Sequence, residues 1–378
     1  MSSHGGCILS YLDYLLVIVP VAIVGHYLHW SESAQFALAA IGIVPLARLI
    51  GQGTEHLAAR TGPKLGGLLN ASLGNAAELI ITIVAIRAGL LELVKASITG
   101  SILGNLLLVL GASIFFGGLK HGRQKFHRSQ ASVHATMLIL AVIALAVPSI
   151  FSATIAAGSN NETHTTLSSL QGVIGGLNPD VEALSLSVAA VMILIYVLGI
   201  VYSFRSADES PLVRSPADIP ATGGWSPRKS LLVLVAATVG VAWLSEILVG
   251  ATESVLESLG WTQFFLGVIL IPLVGNVAEH LVGVKVAMQN QMDLSIEISI
   301  GSSLQIALFV APVLVFVSLL LGNPLTLVFN QFELIALVSA CLIAGLVAMD
   351  GESNWLEGAQ LLAVYIILAL AFFFLPVG

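Results

Sequence analysis

Charge is what this chain has least of. Asp, Glu, Lys and Arg together make up 9% of its 378 residues, where an ordinary soluble domain carries about a quarter. A surface so poor in charge cannot face water. The formal net charge of −7 rests on few groups, most of them between apolar runs, and argues for no nucleic-acid partner. Cysteine is nearly absent as well. Cys7 and Cys341 form no disulfide framework and no metal-ligand spacing, and both read as small apolar residues. The N-terminus lacks the Lys and Arg of a leader, and Asp13 interrupts its first apolar stretch, so no cleavable signal peptide is expected. There is no His-Glu-x-x-His set and no intramembrane aspartate pair, which removes the usual equipment of an intramembrane protease.

Long apolar runs are abundant. Hydrophobic residues form 57% of the chain, and runs long enough to cross a bilayer, about 18–25 residues, lie near 9–29, 33–51, 66–87, 91–119, 130–151, 181–204, 230–249, 262–288, 294–321, 332–349 and 354–376. Backbone groups in lipid must bond within their own segment, so all are expected to be helical. The expected fold is an all-α multi-pass membrane protein in a lipid bilayer, with about eleven transmembrane helices. With the N-terminus in the cytoplasm, twelve of the fourteen Lys and Arg fall on the inner side, and only Arg87 and Lys95 fall outside. That is the positive-inside asymmetry, and it places the C-terminus on the opposite side. Asn161-Glu162-Thr163 matches an N-glycosylation sequon on the outer side.

One pattern occurs twice. Gly74-Asn75-Ala76-Ala77-Glu78 returns as Gly275-Asn276-Val277-Ala278-Glu279, Gly100-Ser101 as Gly301-Ser302, and Leu103 as Leu304, all at an offset of 201 residues. The copies lie on the third and eighth runs, five crossings apart, and an odd number of crossings inverts the second copy. Inverted repeats bring equivalent residues together near the bilayer midplane. The expected organisation is an N-terminal helix over 1–30, a first inverted five-helix repeat over 31–205, a cytoplasmic linker over 206–229 and a second repeat over 230–378. A second match, Thr54-Glu55 with Thr252-Glu253, puts one carboxylate at each membrane face. These two serve either as entry or gate groups or as solvated loop charges.

A carboxylate at bilayer depth is costly and marks a functional site. Asn75 and Glu78 are three residues apart and share a helix face, as do Asn276 and Glu279. The glycines before them permit a helix break that frees backbone carbonyls. The following run of each half adds Ser101 with Asn105, and Ser302 with Gln305. The set is all oxygen and suits a hard cation such as Ca²⁺; thiolate- or imidazole-seeking metals find no partners. Two glutamates close together in a poor dielectric cannot both stay ionised unless something neutralises them. A cation and protons therefore compete for Glu78 and Glu279, and that competition is exchange chemistry. His280 stands where the first half has Leu79; it either relays protons or hydrogen-bonds a neighbouring span. Glu297 is a candidate entry residue.

Several stretches carry a resemblance. Gly66-Gly67-Leu68-Leu69-Asn70-Ala71 leading into Gly74-Asn75-Ala76-Ala77-Glu78, Gly275-Asn276-Val277-Ala278-Glu279-His280, Gly301-Ser302-Ser303-Leu304-Gln305 and Asp350-Gly351-Glu352-Ser353-Asn354-Trp355-Leu356-Glu357-Gly358 together resemble the Ca²⁺/H⁺ antiporter family of the cation/Ca²⁺ exchanger superfamily. The resemblance implies eleven spans, Glu78 and Glu279 as the central acids for Ca²⁺ and H⁺, and supporting roles for Asn75, Asn276, Ser101, Ser302 and Gln305. It implies no cofactor beyond the transported ions. Gly104 departs from the pattern where a serine is expected, and the linker is slightly basic, so calcium sensing by an acidic linker is not carried over. The lack of a long N-terminal tail points to a prokaryotic-type protein in the cell membrane, the vacuolar membrane being the eukaryotic counterpart. Exchange of Na⁺ or Mn²⁺ for H⁺ on the same fold is the alternative. A passive channel fits paired buried glutamates less well.

Overall fold

The computed structural model describes residues 12–61, 63–159, 178–205 and 225–375. Cys7, the sequon at 161–163 and most of the linker lie outside the described residues. Helices dominate: α1 (Ile18–Tyr27), α2 (Glu32–Thr61), α3 (Pro63–Leu73), α4 (Ala76–Arg87), α5 (Leu91–His121), α6 (Arg128–Ser159), α7 (Pro179–Arg205), α8 (Pro227–Gly250), α9 (Thr252–Leu259), α10 (Gln263–Ala287), α11 (Met292–Leu320), α12 (Gln331–Met349) and α13 (Trp355–Phe374). Two short strands, β1 (Gln124–Lys125) and β2 (Glu352–Ser353), pair antiparallel and join the loop after α5 to the loop after α12.

Among the described residues, nine helices have the length and apolarity to cross a membrane, namely α2, α5–α8 and α10–α13. They coincide with nine of the eleven apolar runs. The first run forms a shorter apolar helix, Leu12–Tyr27, and the third divides into α3 and α4 at Gly74-Asn75. Many large apolar side chains, such as Leu232, Leu320 and Ile367, stay exposed on the outside of the bundle. That is the expected surface when the solvent is lipid.

Packing follows the repeat. α2 lies most extensively against its repeat mate α8, and α6 against its mate α12. The contact of α5 with α13 is answered by that of α11 with α7, and that of α2 with α10 by that of α8 with α4. Each of α5, α10 and α11 contains a π-helical turn, at Gly104–Val109, Leu266–Leu270 and Ile306–Val310. Such turns shift the register of the side chains beyond them and gather at functional sites.

Glu333 was not singled out by sequence, although Asn330 three residues before it is a capping-box spacing. It is fully buried. Asn330 and Glu333 cap α12 reciprocally, and Thr99 of α5 donates to Glu333 Oε1 at 3.2 Å. One turn away on α5, Lys95 pairs with Glu92 and donates to the Val328 carbonyl at 3.0 Å. Glu333→Ala keeps the Asn330 cap but takes the acceptor away from the Asn330 backbone N–H and from the buried Thr99 hydroxyl, an expected loss of about 2 kcal/mol or more. Glu357→Ala removes the matching half of the α13 capping box, the acceptor of the Asn354 backbone N–H, at a partly exposed position and is expected to cost about 1 kcal/mol. Thermal melts in detergent should rank the two in that order.

Candidate functional site

Two glycines shape the centre. The chain breaks between α3 and α4, where Asn75 takes a non-helical conformation (φ −100°, ψ 28°) and makes no cap bond with its side chain. Released from capping, the Asn75 amide donates through Nδ2 to Gln305 Oε1 on α11 at 2.9 Å. The break expected at both glycines occurs at one only. Gly275 and Asn276 sit inside the continuous turns of α10, whose irregularity lies earlier, in the π turn at Leu266–Leu270.

Each glycine faces the carboxylate of the opposite repeat. A Cβ on Gly275 would stand 3.1 Å from Glu78 Cγ and 3.4 Å from its Oε1; a Cβ on Gly74 would stand 3.4 Å from Gln305 Oε1 and 4.0 Å from Glu279 Oε1. Glycine at 275 leaves room for the Glu78 carboxylate to approach, whereas at 74 the tight contact of a Cβ would be with the Asn70 carbonyl oxygen at 2.8 Å. Glu78 is 3% exposed. Its polar neighbours across the axis are the Asn276 amide and the Glu279 carboxylate. Ser302 donates to Glu279 Oε2 at 2.9 Å. Glu78 Oε1, Asn75 Oδ1 and Asn276 Nδ2 are buried without a hydrogen-bond partner among the described residues. Unsatisfied buried polar atoms of this kind call for an explanation.

A cavity of about 270 Å³ reaches this centre. Glu279, Ser302, Gln305, Gly74 and Gly275 line its inner part, and Glu55, Glu297, Arg48 and Asn70 also face it. Glu78 and Asn276 stand against its inner wall outside the lining, so the two acids are not equally accessible. Arg48 pairs with Asp13 at 2.7 Å, which ties α2 to the N-terminal segment at the cavity. Sequence did not mark Arg48 or Asn70. Asn70 follows from the repeat-flanking Leu-Leu-Asn, whereas Arg48 gave no signal beyond being one of few cations in an apolar run.

The remaining candidates fall elsewhere. Ser101 and Asn105 are buried on α5 outside the cavity lining, and the Asn105 amide nitrogen has no partner among the described residues. The π turn at Gly104–Val109 carries Asn105 and breaks the i, i+4 register assumed for it with Ser101. His280 is on α10 and outside the lining; neither ring nitrogen has a hydrogen-bond partner among the described residues. Successive residues on a helix point about 100° apart, so His280 turns away where Glu279 turns in. Glu253 is exposed on the short helix α9, while Glu55 lines the cavity, so the second matched pair is split. Among the described residues, no group of three or more His, Cys, Asp or Glu forms a metal cluster. The donor set is two carboxylates with amide and hydroxyl oxygens.

A family model described as "Sodium/calcium exchanger protein" matches residues 32–205 and 229–374. A Ca(2+)/H(+) antiporter of Aphanothece halophytica is 44% identical, over 96% of this chain and 96% of its own length. The Ca(2+)/H(+) antiporter ChaA of Bacillus subtilis is 42% identical, over 94% of this chain and 97% of its own. Among solved structures, that of native YfkE superposes with a TM-score of 0.79 at 39% identity, covering 96% of this chain and all of that one. The H+/Ca2+ exchanger CAX, at 15% identity and a TM-score of 0.69, shares the fold.

Proposed function

We infer that this chain, which belongs to the sodium/calcium exchanger protein family, is a secondary antiporter that expels cytosolic Ca²⁺ in exchange for H⁺ by alternating access. The observation that carries the reading is the reciprocal placement of the two acids, Glu78 against Gly275 and Glu279 beside Gly74. Two carboxylates brought together in a poor dielectric require a counter-charge, and either one Ca²⁺ or protons can supply it. Asn75, Asn276, Ser302 and Gln305 complete the oxygen set that a tolerant hard cation accepts. Ser101 and Asn105 are assigned to the same set in a state where the first-half acid opens. Glu279 lines the cavity and Glu78 does not, and the basic loops support a mouth on the cytoplasmic face. This is the inward-open end of a cycle that inverted five-helix repeats, eleven crossings and a linker over 206–229 would support. Glu55 and Glu297 are entry groups, and Glu253 is the counterpart of Glu55 at the other face. The reading makes the protein a transporter with no catalytic chemistry, set in the cell membrane, N-terminus inside and C-terminus outside.

Everted vesicles test it. With the interior made acid, Ca²⁺ is expected to collapse the pH gradient promptly, and Mn²⁺ or Na⁺ to do so weakly at equal concentration. A gradient that responds to Na⁺ or Mn²⁺ and not to Ca²⁺ would assign the other cation. Indifference to all three would remove the antiport reading.

A further inference from the structure

Glu297 faces two cavities. It lines the central cavity with Glu279, and it also closes a second, water-sized space of about 10 Å³ bounded by His127, Gln130, His134 and Asp293. The spacing behind this is regular. Asp293 and Glu297 are four residues apart on α11 and share a face, while His127 and His134 are seven apart at the start of α6, the interval of two turns. The two faces oppose each other and make a ladder with a His and a carboxylate on each rung. On the outer rung His127 Nδ1 meets Asp293 Oδ1 at 2.9 Å, and the same oxygen accepts from the His127 backbone N–H at 2.6 Å. Both side chains of that rung are largely solvent-exposed. On the inner rung His134 is 3% exposed, and Glu297 looks into the cavity that holds Glu279. Of the cations, Arg48 lines the central cavity together with Glu297, the Arg128 side chain packs under Gly351, and Arg123 is bound to Glu352 at 3.2 Å; none of them lines the water-sized space.

We propose that His127, Asp293, His134 and Glu297 form a proton path between Glu279 and the cytosol that leaves the cation's entry route at Glu297. The proposal rests on the antiport reading and supplies the route that reading lacks, since His280 is turned away from the cavity. Ca²⁺ arriving at a protonated Glu279 displaces one proton. Glu297 takes it across the cavity and passes it to one His134 ring nitrogen. The other ring nitrogen gives up its own proton toward the outer rung, where the Asp293-oriented His127 delivers it to water. Glu297 ends in its starting state, His134 ends as the opposite tautomer and is reset by a turn of its ring, and one proton has left as one Ca²⁺ was bound. A histidine suits both inner and outer positions because its two ring nitrogens can take a proton on one side and give one up on the other. The Asp293 contact fixes the ring orientation of His127.

The test separates proton transfer from cation movement. In reconstituted vesicles, Ca²⁺/Ca²⁺ exchange needs binding and alternation but moves no proton, so His134→Gln is expected to leave it within about twofold of the parent. The same variant should slow Ca²⁺/H⁺ exchange by about tenfold or more, the low end of what a positioned proton-transfer group contributes. Added imidazole, which can diffuse to the inner rung, should restore the rate. The exposed pair gives a second arm outside the packed core: His127→Gln with Asp293→Asn should give a smaller, imidazole-reversible slowing. Parent-like Ca²⁺/H⁺ exchange in His134→Gln overturns the proposal, as does an equal fall of both exchange modes without imidazole rescue. A parent protein that shows Ca²⁺/Ca²⁺ exchange and no proton coupling would instead overturn the antiport reading beneath it.

Discussion

Glu78→Gln and Glu279→Gln are each expected to abolish Ca²⁺-driven proton flux in everted vesicles while the protein accumulates and elutes as the parent does. Glutamine keeps the volume and can still hydrogen-bond, so the Ser302 donor and the glycine cradles remain filled. What is lost is one negative charge beside a dication. Removing one partner of a buried charge set typically costs about 3–5 kcal/mol, which at 1.4 kcal/mol per decade is roughly a hundred- to several-thousand-fold in affinity. The amide also cannot carry the exchanged proton, so both half-reactions fail. Asn75→Ala should be milder, about tenfold, because it removes a neutral hydrogen bond to Gln305 and one carbonyl oxygen. Near-parent flux in both glutamine variants would take these acids out of the mechanism.

Gly100→Ala should be far more damaging than Gly301→Ala, although the two glycines are repeat mates. A Cβ at Gly100 would lie 2.1 Å from the Val268 carbonyl oxygen and 2.5 Å from its carbonyl carbon, whereas a Cβ at Gly301 meets nothing within 4 Å. At Gly100 the obstacle is backbone on the π turn of α10, so no rotamer can give way and the two helices must separate. Close approach through small residues is what holds helices together in lipid, and overpacking of this kind costs about 1–3 kcal/mol or more. Gly100→Ala is expected to express poorly or melt well below the parent in detergent. Gly301→Ala should match the parent in both. Similar melts for the two would show that α5 and α10 are less closely apposed than the structure has them.

Long-range order was legible wherever it depended on a simple solvent or symmetry rule. Nine apolar runs became nine membrane-length helices because lipid leaves the backbone no other way to satisfy its hydrogen bonds. The 201-residue repeat foretold that Glu78 and Glu279 would meet. Where the halves diverge, the sequence was silent. Gly74 and Gly275 are preceded by different residues, Leu73 and Val274, in helices that differ in continuity, and only the packing of neighbours decides which one breaks. The π turns at Gly104–Val109 and Ile306–Val310 leave no periodic trace, so the register of Asn105 could not be anticipated. Glu333 was overlooked because its partners are 234 residues away at Thr99 and three away at Asn330, and only the nearer is visible in sequence. The His127–Asp293 contact, 166 residues apart, has no mate in the repeat and so no signal at all.

At the root of the account is a neutralisation rule: Glu78 and Glu279 share whatever positive charge the centre holds, so a bound cation must expel protons. Calorimetric titration of the purified protein with Ca²⁺ in buffers of different ionisation enthalpy counts those protons directly. Between one and two released per Ca²⁺ near neutral pH, falling to one or fewer in Glu279→Gln, is the predicted result. Tight Ca²⁺ binding with no proton released, and an affinity indifferent to pH, would contradict it.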